Sequence, residues 1–435
     1  MSNDLLRSVA SHAHRQPDAP ALIHPDLSWS WAELHAQSQA ARARLETQPA
    51  GNRIVIPARP AELIPVLVVA PSTGVCVVPL DPHLPPSEAA AREQRAVACT
   101  GPSPGVLVFT SGTTGPARAA RLPMSALLTS ARRVNETLDL RVGDAWLSAL
   151  PLAHVGGLSV VLRCVLAGAT MLLSDRFDPE HAADALAAGA THASFVARTL
   201  EKTLQALSPS SPLRCRAAMV GGGPCPTALL ERAHDRGLPV VTTWGLTEAC
   251  ATVTLHRAGE CPDADGSAGW PLPGSSIRVS SPTPDGAGVI EVSGPTLMEG
   301  YDDVEDQPIT DGWLRTGDIG RIEPDGRLVV LDRRRDLIVS GGENVSPARV
   351  EALLGEHPAV DEVAVVGLPD PSWGQRVVAA VRLGSDAELN EIAEWACDRL
   401  TPAERPRELV AWPEPLPRTT AGKLRRDAVR AALLG

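Results

Sequence analysis

The chain has 435 residues, of which 44% are hydrophobic and 21% are charged. This composition excludes disordered, collagen-like and coiled-coil chains, which need a stronger compositional bias, and the length predicts two or three domains of about 100–200 residues each. The net charge of −11 and the aromatic content of 3% exclude nucleic acid as the main partner, because such binding needs a basic face and stacking rings.

Cysteine usage and the absence of targeting signals predict the compartment. The eight cysteines form no Cys-x-x-Cys pair, which excludes a zinc ribbon or a thioredoxin-type redox site. Scattered thiols in a long chain are typical of a reducing cytosol. The first residues lack the pattern of an export signal, and apolar runs such as 64–70 are much shorter than the roughly 20 residues of a membrane span. We therefore expect a soluble cytoplasmic protein with no membrane partner.

The N-terminal part alternates predicted helices with short apolar strands. Helices are expected at 31–46, 158–168 and 226–236, and strands at 53–57, 75–79, 106–109, 145–152, 170–173 and 217–220. Strands that alternate with helices indicate an α/β fold with doubly wound, mostly parallel sheets, whose ligands lie at the carboxyl ends of the strands.

The pattern changes after about residue 270. Short strands separated by Asp-Gly turns predict a small β-subdomain, and a charged cluster at 332–336 follows it. A compact α+β unit comes next, with strands expected at 363–366, 377–382 and 408–412 and helices at 388–400 and 424–434. We predict a large N-terminal domain of residues 1–331 and a small C-terminal domain of residues 332–435.

A run of hydroxyl and glycine residues directly after the strand at 106–109 is the first motif that indicates chemistry. Hydroxyls and glycine amides in one loop can wrap phosphate oxygens, although each residue alone would fit an ordinary polar turn. The predicted phosphate loop consists of Thr110, Ser111, Gly112, Thr113, Thr114 and Gly115. It is not a Walker A loop, because the Gly-Lys pair of the chain, Gly422-Lys423, is followed by leucine far away.

This loop resembles that of the adenylate-forming superfamily, which includes acyl-CoA synthetases, firefly luciferases and peptide-synthetase adenylation domains. The family usually continues with x-Pro-Lys-Gly, whereas this chain has Pro116-Ala117-Arg118-Ala119, so Arg118 stands at the lysine position. The resemblance continues in order along nearly the whole chain. It implies a C-terminal domain that is mobile and rotates about a hinge whose pivot is Arg335, where the family has aspartate, just after the domain boundary near Asp332.

Two segments resemble the family's adenine and phosphate motifs. Trp244-Gly245-Leu246-Thr247-Glu248 is similar to aromatic-Gly-x-Thr-Glu, in which the ring stacks on adenine, the threonine meets the α-phosphate and the glutamate helps to hold Mg²⁺. The resemblance implies that Gly221, Gly222 and Gly223 line the other side of adenine. Taken alone, Trp244 would more often be a core residue and Glu248 a solvated acid.

Four further segments resemble family motifs in the last third of the chain. Asp318 matches the aspartate that accepts hydrogen bonds from both ribose hydroxyls, and Arg333 matches an arginine near the ribose. Gly341, Gly342 and Trp373 lie in segments that approach coenzyme A in the family. A hairpin turn and a strand entry are the plainer interpretations of Asp318 and Trp373.

Lysine usage adds an argument from composition. The chain has two lysines, Lys202 and Lys423, against 38 arginines. Lys423 falls on the lysine of the family's C-terminal Pro-x-x-x-x-Gly-Lys motif, which bridges the substrate carboxylate and the α-phosphate. A compact ammonium fits between two anions where a planar guanidinium is bulkier. We therefore expect Lys423 to be catalytic, together with Thr110, Glu248 and His154.

The acyl substrate is indicated by the segments around His154 and Arg198. His154 lies in a Pro-Leu-x-His segment like that beside the family's acyl pocket, and a structural histidine is the alternative. The run Ser194–Leu200 and the short length look most like the o-succinylbenzoate–CoA ligases of menaquinone biosynthesis. That substrate has a second carboxylate, for which Arg198 is the candidate anchor, although an exposed helical arginine is the commoner case.

The resemblance therefore implies an AMP-forming acid–CoA ligase that uses ATP, Mg²⁺ and coenzyme A. Its expected small-molecule partner is a carboxylic acid, with o-succinylbenzoate as the main hypothesis. The oligomeric state considered is a homodimer. Another small aryl or medium-chain acid is the alternative. Loading of a carrier protein and a non-catalytic adenylate-binding relative stay open as well.

Overall fold

The computed structural model describes residues 4–49, 51–98, 105–110, 117–223, 225–257, 267–284, 286–302, 307–333, 338–340, 343–384, 387–419 and 422–434. The chain divides into two compact units. The first contains residues 1–112, 116–277 and 292–314, and the second contains residues 278–291 and 315–435. The domain boundary expected near Asp332 stays a prediction.

The helices begin and end at recognisable signals. At the start of the second helix, Ser30 and Glu33 form a reciprocal capping box, and the sixth helix ends at Gly168 in the left-handed conformation. The helices of the described residues are α1 (Asp4–Arg15), α2 (Trp31–Leu45), α3 (Pro60–Thr73), α4 (Pro86–Ala98), α5 (Met124–Leu138), α6 (Val155–Ala167), α7 (Pro179–Ala187), α8 (Ala197–Ala206), α9 (Thr227–Asp235), α10 (Pro347–Gly355), α11 (Leu389–Arg399) and α12 (Arg426–Leu434).

The strands are mostly short and apolar in the first unit and longer in the second. Their bounds are β1 (Pro20–His24), β2 (Leu27–Ser30), β3 (Arg53–Pro57), β4 (Cys76–Leu80), β5 (Gly105–Phe109), β6 (Ala119–Pro123), β7 (Ala145–Ser148), β8 (Thr170–Leu172), β9 (His192–Phe195), β10 (Ala217–Val220), β11 (Val240–Trp244), β12 (Thr254–Leu255), β13 (Trp270–Pro271), β14 (Ser276–Ser280), β15 (Gly288–Ser293), β16 (Gly300–Tyr301), β17 (Ile309–Thr310), β18 (Trp313–Ile322), β19 (Leu328–Arg333), β20 (Ile338–Ser340), β21 (Glu343–Val345), β22 (Val360–Asp370), β23 (Gly374–Leu383) and β24 (Glu408–Ala411).

The largest sheet has nine strands in the order β13-β12-β11-β10-β9-β7-β8-β1-β2. Its six central strands, from β11 to β1, run parallel to one another, and β12 and β2 pair with their outer edges in antiparallel orientation. Leu147 of β7 packs with α7, α8 and α9 on one face, whereas the Arg163 guanidinium of α6 lies over the adjacent Trp146 ring on the other. Helices therefore cover both faces, and the predicted doubly wound α/β fold is confirmed.

A second sheet of the first unit has the order β16-β6-β5-β4-β3, with β3, β4 and β5 parallel. Arg53 of β3 forms two hydrogen bonds with the Asp302 carboxylate, one of them 2.9 Å long, and Arg121 of β6 donates a third at 3.2 Å. The Arg53 and Asp302 side chains are each only 5% exposed. This buried ion pair ties the segment after β16 to the far edge of the sheet.

The expected β-subdomain is antiparallel. Its strands have the order β14-β15-β18-β17, and β19 pairs with β18. The predicted Asp-Gly turns at 311–312 and 325–326 connect β17 to β18 and β18 to β19. Residue 285 of the third predicted turn lies outside the described residues.

The C-terminal sheet is buried on both faces by alternating side chains. Residues 365, 377, 379 and 381 pack with α10 and α11, and residues 364, 366, 378 and 380 pack with α12. This alternation follows from the two-residue period of strands, and it accounts for the continuous apolar runs of β22 and β23.

One predicted strand is shorter than expected. Strand β7 ends at Ser148, and residues 149–154 form the connection to α6 instead of continuing the strand to 152. The Leu150 amide donates to the Ser148 hydroxyl at 3.3 Å, which turns the chain at that point. The apolar side chains of Leu150 and Leu152 are the reason that the sequence pattern predicts a longer strand.

No helix within the described ranges is long and apolar enough to cross a membrane.

Replacing Asp302 with Asn leaves the buried Arg53 guanidinium without its counter-charge. We expect Asp302→Asn to lower the free energy of unfolding by about 3–5 kcal/mol, the range for removing one partner of a buried pair. Urea unfolding followed by circular dichroism measures the change. Glu46→Gln is the matched control, because Glu46 pairs with Arg42 at an exposed end of α2, where such pairs contribute about 0.3–0.5 kcal/mol. Equal losses in the two variants would contradict the role assigned to Asp302.

Candidate active site

The carboxyl ends of four parallel strands lie side by side in the nine-stranded sheet. Strands β7, β9, β10 and β11 are consecutive neighbours, and each is followed by a predicted site segment. Adjacent segments are joined by backbone hydrogen bonds: the Ala149 amide donates to Ser194 O and the Gly221 amide donates to Phe195 O, both at 3.2 Å. The edge at which an α/β sheet binds ligands therefore brings the regions of His154, Arg198, Gly221 and Trp244 together.

The glycines after β10 have backbone positions that other residues would fill or strain. A Cβ on Gly221 would lie 2.8 Å from the Thr243 methyl carbon of β11, and Gly222 has a left-handed φ of +79°. A Cβ on Gly223 would meet no atom within 4 Å. The segment thus presents bare backbone at the sheet edge, which suits close approach by a flat ring, and its contact with adenine stays a prediction.

The loop after β11 folds back tightly on itself. A Cβ on Gly245 would lie 1.5 Å from the Ala251 carbonyl oxygen, so glycine is required there. The Val253 amide donates to Trp244 O at 3.0 Å, which closes the loop. Its tip is a 3-10 turn at Thr247–Ala249, which presents Thr247 and Glu248. Trp244 itself is only 8% exposed, so its stacking on adenine also stays a prediction.

Glu248 is linked to Arg118 through a residue that the sequence analysis missed. The Tyr301 hydroxyl of β16 donates a 2.5 Å hydrogen bond to Glu248 Oε1, and the Arg118 guanidinium carbon lies 5.3 Å from the Tyr301 ring centroid. Burial and the neighbouring Glu248 charge raise the pKa of Tyr301, so the phenol stays protonated and donates. The available signal was that Tyr301 is the sole tyrosine of the chain.

Thr110, the first residue of the predicted phosphate loop, is hydrogen-bonded to Arg118, which follows the loop. The Thr110 amide donates to Arg118 O at 2.8 Å, and the Thr110 hydroxyl also donates to this oxygen at 3.3 Å. The intervening Ser111, Gly112, Thr113, Thr114 and Gly115 lie outside the described residues. Thr110 therefore lies at the carboxyl end of β5, at the edge of its sheet, and Arg118 lies directly beside it.

His154 precedes α6 and occupies an electrostatically mixed site. Burial lowers the pKa of His154, the Asp81 carboxylate opposes this shift and Arg92 adds to it. Asp81 directly follows β4 and is itself buried, so the second sheet contributes a carboxylate close to this histidine. Because its pKa lies below the usual 6.5, His154 is neutral at pH 7 and acts there as a hydrogen-bonding group rather than as a cation.

Arg198 is the second residue of α8 and is half-buried. A cation in the first turn of a helix opposes the helix dipole, so Arg198 is not placed there to stabilise α8. The same position lies at the carboxyl end of β9, beside the glycines of the β10 loop, where a Cβ on Gly222 would lie 3.4 Å from the Val196 side chain. A cation next to a helix N-terminus at this edge is suited to binding a carboxylate.

The second unit holds the remaining predicted residues. Asp318 of β18 is 7% exposed, and it is the register partner of Arg333 in β19. The Asp318 amide donates to the Thr316 hydroxyl at 3.1 Å, and that hydroxyl donates to Ile290 O at 2.8 Å, which fixes the strand around the carboxylate. The Arg333 side chain lies outside the described part of the structure.

Lys423 lies in a tight turn before α12. The Thr419 amide donates to Lys423 O at 2.8 Å, and the Lys423 amide donates to the Thr419 hydroxyl at 3.1 Å.

Trp373 is 38% exposed, with the Arg407 guanidinium carbon 4.2 Å from its ring centroid. Gly341 and Gly342 lie outside the described residues.

The metal chemistry of the described residues fits magnesium bound through phosphates. No group of three or more histidines, cysteines or acids that could hold a metal is found among them. Mg²⁺ in nucleotide sites is typically held by one or two carboxylates together with substrate phosphates. Glu248 fits this pattern, because Tyr301 engages one carboxylate oxygen and leaves the other for a cation.

Comparisons with known proteins match most of the chain. The AMP-binding enzyme family matches residues 90–302, and the AMP-binding enzyme C-terminal domain matches residues 349–423. A 2-succinylbenzoate–CoA ligase of Bacillus mycoides (strain KBAB4) is 38% identical over 333 residues, which cover 74% of this chain and 69% of that relative.

Solved structures extend the similarity to almost the full length. The o-succinylbenzoate CoA synthetase (MenE) of Bacillus subtilis, in complex with the acyl-adenylate intermediate OSB-AMP, has a TM-score of 0.86 and 29% identity and covers 97% of each chain. The same synthetase in complex with ATP and a magnesium ion has a TM-score of 0.85 and 28% identity, covering 97% of this chain and 98% of that one. Together with the site described above, these matches show that the chain belongs to the AMP-binding enzyme family, among relatives named 2-succinylbenzoate–CoA ligases.

Proposed function

We propose that this protein is an AMP-forming acid–CoA ligase that converts 2-succinylbenzoate, ATP and CoA into 2-succinylbenzoyl-CoA, AMP and pyrophosphate. The observation that carries the proposal is the sheet edge that joins His154, Arg198, the glycines after β10 and the Trp244–Glu248 loop. It occurs in the fold of a synthetase solved with the adenylate of this acid. The reaction belongs to menaquinone biosynthesis.

The first half-reaction forms the acyl-adenylate. A carboxylate oxygen of the acid attacks the α-phosphorus of ATP, an O–P bond forms, and the bond to pyrophosphate breaks. Thr110 and the following hydroxyl and glycine residues hold the phosphates, and Thr247 and Lys423 neutralise the charge that develops on the α-phosphate oxygens. No protein nucleophile is required, so catalysis rests on positioning and charge stabilisation.

Nucleotide binding is assigned to the residues that match the family's motifs. Gly221, Gly222, Gly223, Trp244 and Gly245 receive the adenine, and Asp318 with Arg333 receives the ribose. Glu248 holds Mg²⁺, which shields the phosphate charge when MgATP is bound. Arg118 carries the positive charge that follows the phosphate loop.

The second half-reaction transfers the acyl group to CoA. The thiolate of CoA attacks the acyl carbon of the adenylate, a C–S bond forms and AMP leaves. Gly341, Gly342 and Trp373 approach the CoA chain, and rotation of residues 332–435 about a hinge near Asp332 withdraws Lys423 between the two steps.

The acid is bound beside α6 and α8. His154 is neutral, so it binds the acid by donating a hydrogen bond and not by the attraction of a positive charge. Arg198 binds the carboxylate that does not react, assisted by the N-terminus of α8.

The cytoplasm is the compartment that the thiols favour. Free cysteines persist in reducing compartments, and the six in the described ranges are all free: Cys76, Cys164, Cys215, Cys225, Cys250 and Cys397. Their free state supports the proposed location. A homodimer stays a prediction.

The substrate is tested by measuring pyrophosphate release and thioester formation with a panel of acids. We expect 2-succinylbenzoate to have the highest kcat/KM, at least tenfold above benzoate and octanoate, because these acids lack the second carboxylate and a charged hydrogen bond contributes about 1.5–3 kcal/mol. A preference for an acid with one carboxylate would keep the ligase activity and reject the proposed substrate. ATP binding without turnover of any acid would reject the ligase activity itself.

Lys423→Ala separates the two half-reactions. We expect adenylate formation to fall by about 10²–10³, the usual effect of removing one group that stabilises transition-state charge. Thioester formation from synthetic 2-succinylbenzoyl-AMP and CoA should remain within about threefold of the parent, since Lys423 is withdrawn in that step. Lys202→Ala is the matched control, because Lys202 is the other lysine and is exposed on α8. Loss of both half-reactions would refute the assignment of Lys423 to adenylation alone.

Arg198→Met tests the anchor of the second carboxylate. We expect the KM for 2-succinylbenzoate to rise about tenfold or more while the KM for ATP stays within twofold, because a charged hydrogen bond to the acid is removed. Arg232→Met on α9 provides the comparison, since Arg232 pairs with Glu201 at an exposed position. An unchanged KM for the acid would remove Arg198 from the acyl site.

A further inference from the structure

Tyr301 joins the candidate metal ligand to the phosphate loop and is assigned no part in the reaction described above. It lies in β16, opposite Ala120 of β6 in the antiparallel pair, and is 6% exposed. Its hydroxyl donates to Glu248 Oε1 at 2.5 Å. The donor is therefore anchored in the second sheet, whereas the acceptor belongs to the loop that follows β11 of the first sheet.

The same short segment holds Glu248 at its backbone as well as at its carboxylate. The Met298 amide donates to Glu248 O at 2.8 Å, three residues before Tyr301. Tyr301 in turn is clamped by Gln307, which accepts from the Tyr301 amide at 2.7 Å and donates to Tyr301 O at 3.0 Å. Both the donor and its support are thus fixed by hydrogen bonds that do not involve a ligand.

The Glu248 carboxylate needs such a fixed donor because the backbone element that carries it is short. Glu248 lies on a 3-10 turn of three residues, and its side chain has several freely rotating bonds. In the described part of the chain, Tyr301 is the hydrogen-bond donor to this carboxylate. A single donor fixes one oxygen and its rotamer while leaving the second oxygen to a hard cation.

The ring of Tyr301 contributes a second connection. The Arg118 guanidinium carbon lies 5.3 Å from the ring centroid, within the range of a cation–π contact, and Arg118 O accepts from Thr110. One aromatic side chain therefore contacts both the cation that closes the phosphate loop and the carboxylate assigned to the metal. Under the proposed function, Arg118 would face the phosphate charge of MgATP and Glu248 its magnesium ion.

We propose that Tyr301 is a positioning residue that holds the Glu248 carboxylate in the orientation that receives the magnesium ion of MgATP, and that its ring aligns this carboxylate with the end of the phosphate loop at Arg118. The inference rests on the proposed function, because it assumes that MgATP is the nucleotide bound. A buried tyrosine with a purely structural role would instead affect all nucleotides and the fold alike.

Tyr301→Phe tests the proposal, since it removes the hydroxyl that donates to Glu248 and is also hydrogen-bonded by Arg118, and it keeps the ring. We expect the Kd of MgATP, measured by titration calorimetry, to rise about tenfold. The Kd of AMP, measured with EDTA and without metal, should stay within twofold. Equal weakening of both nucleotides, or of neither, would overturn the proposal. Ser38→Ala is the matched control for loss of one buried hydroxyl, because Ser38 donates to Leu34 O inside α2, and it should change neither constant.

A second measurement uses the unaltered side chain and does not depend on whether the variant folds. Because the chain has one tyrosine, labelling Tyr with ¹³C at Cζ gives a single resonance from Tyr301. We expect Mg²⁺ added with the ATP analogue whose α,β-bridging oxygen is a methylene to shift this resonance. AMP without metal should shift it much less, and Glu248→Gln should abolish the Mg²⁺-dependent shift. A resonance that ignores Mg²⁺ in the presence of the analogue would overturn the proposal.

The two hypotheses fail in different ways. If the parent protein binds MgATP with the expected dependence on Tyr301 but makes no thioester from 2-succinylbenzoate, the proposed substrate fails and the role of Tyr301 stands. If thioester forms and the Kd of MgATP is insensitive to Tyr301→Phe, the role of Tyr301 fails and the proposed function stands.

Discussion

Parallel pairing of β7, β9, β10 and β11 is the constraint on which the site depends. Parallel strands need a crossover between them, so every carboxyl end in this group opens into a loop at one edge, and the helices return the chain on the faces. Segments between residues 149 and 248, far apart in sequence, therefore lie side by side at that edge. In the second sheet, Asp81 and Thr110 follow the carboxyl ends of the parallel strands β4 and β5. Tyr301 lies in β16, which pairs with β6 of the same sheet.

Among the described site residues of the first unit, the charged groups of Glu248 and Arg118 are each held by a neighbour of different chemistry. Glu248 is held by a phenol, His154 is kept neutral by burial, and Arg118 lies on an aromatic ring. In contrast, charges that support the fold, such as Arg53 and Asp302, are paired directly with each other. A charged side chain that has no protein counter-charge of opposite sign can interact more strongly with a charged ligand.

Much of this organisation could be predicted from the sequence, and the gaps have physical causes. The strands β5 and β10 and the glycine-containing segments after them were identifiable because buried parallel strands are continuous apolar runs that end at small residues. The strand at 145–152 was predicted too long, since apolarity does not distinguish a strand from a buried turn. Tyr301 and Asp81 were missed because their importance arises only when two sheets come together, which no local spacing encodes.

The requirement for glycine at position 245 has a consequence for binding energetics. Because the chain passes 1.5 Å from where a Cβ would stand, the loop bearing Glu248 has one compact path, closed by the hydrogen bond from Val253 to Trp244. The conformational entropy of ordering this loop is therefore lost during folding, not when a nucleotide arrives. A preorganised surface leaves more of the contact free energy to appear as affinity and as discrimination among ligands. In this respect the loop between Trp244 and Val253 is a preformed surface whose shape does not have to be made when a ligand binds.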